Sequence, residues 1–139
     1  MKRGFTLAEL LMVVIVVGIL AAIAVPSYTK ILEKTAAKQA IDALKRIRAA
    51  QKVYFASHSG AYACPIADDC HQAEIKSVLG VDVVSDTYTF WWVGATASPV
   101  GFIAKAQRLD GAHHVSICLD QNGTWTGDDP YAPGTGVAC

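Results

Sequence analysis

The stretch Gly4–Pro26, GFTLAELLMVVIVVGILAAIAVP, decides how the rest of the chain is read. From Leu10 to Val25 it holds no charged residue, and only Gly18 breaks its run of apolar side chains. Extended back through Phe5, the run approaches the ~20 residues, at 1.5 Å rise each, that a helix needs to cross a bilayer's hydrocarbon core. The segment is expected to span a membrane.

Two features set it apart from a plain anchor. Lys2-Arg3-Gly4 is a very short basic leader ending in a small residue directly before Phe5. Glu9 is an ionisable group inside the apolar run, and such a group costs several kcal/mol at the bilayer centre unless it is paired. If the chain were cut after Gly4, the new amine of Phe5 would be a positive group one helical turn from Glu9. The same amine on a neighbouring copy could reach that carboxylate.

Gly4-Phe5-Thr6-Leu7-x-Glu9 followed by an apolar run resembles the prepilin motif of bacterial type IV pilins and type II secretion pseudopilins. The resemblance implies that a prepilin peptidase cleaves after Gly4 and methylates the amine of Phe5. It also implies that Glu9 neutralises a neighbour's amine during assembly, and that Gly18 and Pro26 stand where the family keeps a helix glycine and proline. The motif covers about the first quarter of the chain. Two other readings compete: a secretory signal peptide cut after Ala22-Ile23-Ala24, and a signal anchor on an unrelated periplasmic domain. Neither explains Glu9 or the Gly-Phe junction. N-terminal sequencing would return Phe5, Val25 or Met1 respectively.

The chain has 139 residues and a formal net charge of zero. Taking out an anchor helix leaves about a hundred residues, enough for one modest soluble domain. The neutrality conceals a segregation. Between Pro26 and Lys52 stand Lys30, Lys34, Lys38, Lys45, Arg46, Arg48 and Lys52 against Glu33 and Asp42, whereas the remainder is dominated by aspartates. A basic stalk and an acidic head favour contact within a chain or between copies. Lys45, Arg46 and Arg48 could touch nucleic acid, but lysines and arginines on a solvated helix do not support that reading.

The positive-inside rule puts the Lys2-Arg3 end in the cytoplasm and the head outside. The four cysteines, Cys64, Cys70, Cys118 and Cys139, then meet an oxidising compartment, so disulfides are expected. Three pairings exist, and the favoured one joins Cys64 to Cys70 and Cys118 to Cys139. Closing the second loop, of roughly twenty residues, stabilises by about 3 kcal/mol in the chain-entropy model.

Beyond Pro26, Ile31, Ala37, Ala40, Ile41, Leu44, Ile47, Ala50, Tyr54 and Phe55 recur at intervals of three and four, which predicts an amphipathic continuation of the same helix. Pro26 is expected to bend the helix and not to end it. The stop is expected near His58-Ser59-Gly60. An irregular connection follows, with a short helix at about Glu74 to Leu79. Strands are expected at Thr87–Val93, Phe102–Leu109, Val115–Leu119 and Gly123–Thr126, with a hairpin turn at Asp120-Gln121-Asn122-Gly123. The fold class is thus α+β: one long helix against a three- or four-stranded antiparallel sheet, with a disulfide-closed C-terminal loop. The expected division is a leader at 1–4, a transmembrane and polymerisation helix at 5–26 and a globular head at 27–139.

Catalytic and metal chemistry finds little support. Cys64-x5-Cys70-His71 has the wrong spacing for a zinc pair, and His113-His114 is expected in an exposed turn. Asp128 and Asp129 could hold calcium, yet the tail lacks a fuller run of carboxylates. Trp91, Trp92 and Trp125 are core or sheet residues, with one of Trp91 and Trp92 facing outward as a candidate subunit contact. No nucleophile triad or phosphate-binding glycine loop is present, and no enzyme activity or cofactor is expected. The leading reading is a pilin that polymerises into a filament, working with a prepilin peptidase, the inner membrane and the assembly machinery. A pseudopilin or minor pilin is the near alternative, and an anchored periplasmic binding domain that never polymerises is the distant one.

Overall fold

Alanine and leucine, good helix formers, recur throughout residues 7–57, joined by lysine and arginine beyond Pro26, and together with the valines and isoleucines of the apolar run they wind into one helix, α1 (Leu7–Ser57), of 51 residues. The structure, a computed structural model, describes residues 5–64, 70–85, 87–88, 90–97, 100–110, 113–134 and 139. Pro26 lies inside α1. Flanking hydroxyls bond back to the helix carbonyls: Ser27 Oγ to Ile23 O at 3.3 Å and Thr29 Oγ1 to Pro26 O at 3.1 Å. The helix stops where the sequence places the stop. Ser59 and Gly60 take positive φ, 54° and 81°, and the Gly60 amide returns to the Phe55 carbonyl at 3.1 Å.

The chain divides into two compact units, the first ending at Glu33 and the second running from Lys34 to Cys139. The second contains the remaining elements: β1 (Cys70–His71), α2 (Gln72–Leu79), β2 (Phe90–Ala97), β3 (Val100–Asp110), β4 (His113–Asp120) and β5 (Trp125–Gly127). The strands form one antiparallel sheet in the order β1-β2-β3-β4-β5. The α+β architecture read from the sequence is therefore the one present, with a fifth strand added. That strand is only two residues long, Cys70 opposite Val93 and His71 opposite Trp92. Two residues carry no periodicity, so only the finished β2 edge reveals β1.

Register accounts for the core. Val93, Ala104 and Leu119 lie in one row and Trp91, Ala106 and Ile117 in the next, so they share a face. All six are buried, together with Phe102 and with Ala36, Ala37, Ala40, Ala43, Leu44 and Ile47 of α1. Alanines on α1 join large side chains such as Trp91 and Phe102 in one cluster, and small residues at a contact let elements approach closely.

Two expectations need correction. Ile31 and Phe55 belong to the apolar spacing of α1 but are exposed, while Ala43 and Gln51, not counted in the expected stripe, are buried. His113 and His114 begin β4 instead of lying in a turn, because pairing with Asp110 and Leu109 extends the β3–β4 ladder beyond its apolar centre. The ion pairs seen among the described residues are Lys45 with Asp42, Lys76 with Asp82 and Arg108 with Asp129. The exposed pairs among them contribute little in water.

Gln51 replaces an apolar side chain for a definable reason. Its Nε2 donates to the Ala63 carbonyl at 3.1 Å, and its Oε1 accepts from the Ala63 amide at 2.9 Å. One buried amide satisfies both polar groups of a loop residue that has no strand or helix to do so. It fixes the connection after α1 immediately before Cys64.

Candidate functional site

The N-terminal segment concentrates the features singled out in the sequence. α1 contains an 18-residue window of mean hydropathy 2.8, none of it buried, which is long and apolar enough to cross a membrane. Thr6 is the residue before α1, and its amide and hydroxyl both donate to Glu9 Oε2 at 2.9 Å. The Glu9 amide in turn faces Thr6 Oγ1 at 3.3 Å. This is a reciprocal capping box. The threonine and the glutamate three residues later satisfy each other's backbone donors at a helix start. The sequence announces it as Thr6-Leu7-Ala8-Glu9, a T-x-x-E signal. Glu9 thus has an intrachain partner that the charge argument alone overlooked.

Phe5 is 84% exposed beside this box, whereas Gly4 and the rest of the leader lie outside the described residues. A Cβ built on Gly18 would meet nothing within 4 Å, so no packing within the chain demands a glycine there. Pro26 is followed by Tyr28 and Ile31, both exposed.

The head is held by two disulfides. Cys64 is joined to Cys70 and Cys118 to Cys139, six and 21 residues apart in sequence. Cys118 lies in the same row as Lys105 and Thr126, on the sheet face opposite the core, so the chain is drawn back across that face to reach it. Lys105 Nζ donates to the Cys139 carbonyl at 3.1 Å beside it.

A second lock was not legible in the sequence. Asp129 is buried in the tail, where its Oδ2 accepts from Arg108 Nε at 3.2 Å and from the Tyr88 hydroxyl at 2.5 Å, and its Oδ1 accepts from the Tyr131 amide at 2.9 Å. The Arg108 guanidinium also lies 5.9 Å from the Tyr88 ring. Burial pushes the Tyr88 phenol well above its ordinary value, and the hydrogen bond to Asp129 and that residue's negative charge raise it further. Tyr88 therefore stays a neutral donor. Trp91 completes the cluster, its indole N–H donating to the Tyr88 carbonyl at 3.1 Å.

Asp128, next in line, faces the opposite way. Its Oδ1 accepts from the Ser116 amide at 2.6 Å and the Ser116 hydroxyl at 3.0 Å. Partial burial works against ionisation here, but the hydrogen bonds from Ser116 and the charge of Lys105 outweigh it and hold the carboxyl below its ordinary value. A carboxyl depressed by folding stabilises above its unfolded pKa, and that stabilisation is lost as pH falls through the folded one. Asp128→Asn should therefore lower the stability slightly at neutral pH, by at most about 1 kcal/mol for an exposed group, read as a small drop in the thermal midpoint. The gap from wild type should close below roughly pH 4. A gap that stays constant across that range would show that the charge contributes nothing.

Both aspartates weighed for calcium are thus engaged by donors of their own chain. Among the described residues no group of three or more His, Cys, Asp or Glu stands together as a metal site. Of the tryptophans considered for an outward contact, Trp91 is buried and the Trp92 side chain lies outside the described residues.

Residues 1–25 match the family model described as the prokaryotic N-terminal methylation motif. Among curated proteins, the type IV major pilin protein PilA of Myxococcus xanthus is 46% identical over 54 residues, which are 39% of this chain and 24% of that protein. Two fimbrial proteins of Pseudomonas aeruginosa are each 41% identical over 49 residues, 35% of this chain and 32% of theirs. The chain therefore spans only about a quarter to a third of the length of these relatives. No solved structure matches the chain. Residues 1–25 thus carry the prokaryotic N-terminal methylation motif, and over little more than a third of its length the chain is similar to a type IV major pilin and to fimbrial proteins.

Proposed function

We propose that the protein is a pilin, a structural subunit that polymerises into a type IV pilus filament through its N-terminal helix. One observation carries the reading: the apolar first half of α1 is exposed on all sides and holds a single carboxylate, Glu9, near its start. Outside a bilayer, such a helix is stable only when buried among others of its kind. The empty surroundings of Gly18 support this, since small residues on apolar helices serve close approach between helices. Residues 1–4 act as the leader, 5–26 as the membrane and polymerisation helix, and 27–139 as the head.

In this account a prepilin peptidase cuts between Gly4 and Phe5 in the inner membrane and methylates the new amine. The assembly machinery then moves the subunit from the bilayer into an extracellular filament. There Glu9 exchanges its Thr6 donors for the amine of a neighbouring copy, and the methylated Phe5 supplies the countercharge. The role is structural, with no reaction catalysed. The relatives' names, a major pilin and fimbrial proteins, favour a filament subunit over a secretion pseudopilin. The test is the material sheared from cells. It should be enriched in this chain, and Edman sequencing of it should begin at methylated Phe5. Finding the chain only in the membrane fraction and starting at Met1 would contradict the reading.

A further inference from the structure

We propose that Asn122-Gly123 is a site of self-modification, an asparagine poised to deamidate, and that the Asp120 carboxylate holds it closed. The inference does not depend on whether the chain forms filaments.

The hairpin between β4 and β5 requires a glycine at 123. Its φ is +96°, and a Cβ there would meet the Arg48 guanidinium at 3.1 Å. A turn built this way places Asn122 directly before a residue with no side chain to shield its amide. Asn122 is also exposed. The chemistry of that pair is intrinsic. The Gly123 nitrogen gives up its proton and attacks Asn122 Cγ, so a ring N–C bond forms. The Cγ–Nδ2 bond breaks, ammonia leaves with the proton, and water opens the succinimide to aspartate or isoaspartate.

Both reacting groups are held by one side chain. The Gly123 amide donates to Asp120 Oδ1 at 2.8 Å and to the Asp120 carbonyl at 3.1 Å. The same Oδ1 accepts from the Thr124 amide at 2.7 Å. Asn122 Nδ2, the leaving group, lies 3.5 Å from the other oxygen, Oδ2. An N–H bonded to a carboxylate is harder to deprotonate and is aimed at that carboxylate, away from Cγ. The nucleophile is therefore protonated and misdirected for as long as Asp120 is in place. Arg48 packs on the same turn, its Nε donating to the Gln121 carbonyl at 3.2 Å, but it touches neither reacting atom in this way.

The experiment follows conversion of the peptide containing Asn122 by mass spectrometry, with the full chain incubated in detergent at mildly alkaline pH. Native wild type should convert slowly and denatured wild type rapidly. Asp120→Ala should convert about tenfold faster or more than native wild type, the size expected for losing a charge-assisted hydrogen bond. Asp120→Asn, which keeps an acceptor oxygen without its charge, should fall between the two. Arg48→Ala loosens the same hairpin but spares Asp120, so it should convert at the wild-type rate. The proposal fails if Asp120→Ala is as slow as wild type. It also fails if Arg48→Ala is as fast as Asp120→Ala, because general loosening would then explain the rate.

Discussion

Glu9→Ala should leave the chain in the membrane and remove its filaments. Replacing an acid with a methyl group makes insertion easier, since an unpaired carboxylate at membrane depth costs roughly 2.5–3.5 kcal/mol. Assembly loses the opposite quantity. If each subunit joins by pairing Glu9 with a neighbour's amine, an energy of that size is about a hundredfold in association at every step. Electron microscopy of sheared material and fractionation of membranes would read the two halves of the prediction separately. The Thr6–Glu9 capping box supplies the control. Glu9→Gln keeps an oxygen to cap Thr6 but has no charge, and should fail like alanine. Thr6→Val keeps the charge and loses the hydroxyl, and should still assemble. If Glu9→Gln made normal filaments, Glu9 would be acting as a helix cap and the charge-pairing mechanism would be wrong.

In the head, the largest expected effect is from Asp129→Ala. That carboxylate is the shared acceptor for the Arg108 guanidinium, the Tyr88 hydroxyl and the Tyr131 amide, and both charged side chains are buried. Deleting it takes the carboxylate from a buried guanidinium, a loss of roughly 3–5 kcal/mol where one partner of a buried pair is removed. For a head of this size such a loss is a large part of the total stability. Tyr88→Phe removes one donor and leaves the ion pair intact, so it should cost only about 1–2 kcal/mol. Denaturant midpoints of the two variants and wild type would check the order. Equal midpoints for wild type and Asp129→Ala would mean that the pair's desolvation cancels its attraction and that the tail is held by Cys118–Cys139 alone.

The hydroxyl of Tyr88 and the carboxylate of Asp129 lie 41 residues apart in the chain, and nothing in either local sequence announces the other. The reading placed Tyr88 in a strand and the tail in a surface loop. In fact Tyr88 lies before β2, and Asp129 is buried beneath it. Gln51 is a similar case. Its spacing, four residues after Ile47 and seven after Leu44, puts it on the apolar stripe of α1, but its polar side chain gives no hint of burial, and its partner at Ala63 exists only once the chain has turned back.

What the sequence determined by itself is whatever depends on near neighbours. The apolar run and Glu9, the length of α1, the capping box of Thr6 and Glu9 and the stop at Ser59-Gly60 are all encoded within a few turns of helix. So are the alternating strands and the glycine turn at Gly123, because backbone preference and side-chain periodicity act over that range. Only the tertiary structure decided the two-residue strand at Cys70, the burial of Gln51 and the tail lock through Asp129. Each is a polar group or a backbone edge that becomes tolerable, or visible, only when a distant segment arrives to satisfy it, and a local pattern holds no record of that arrival.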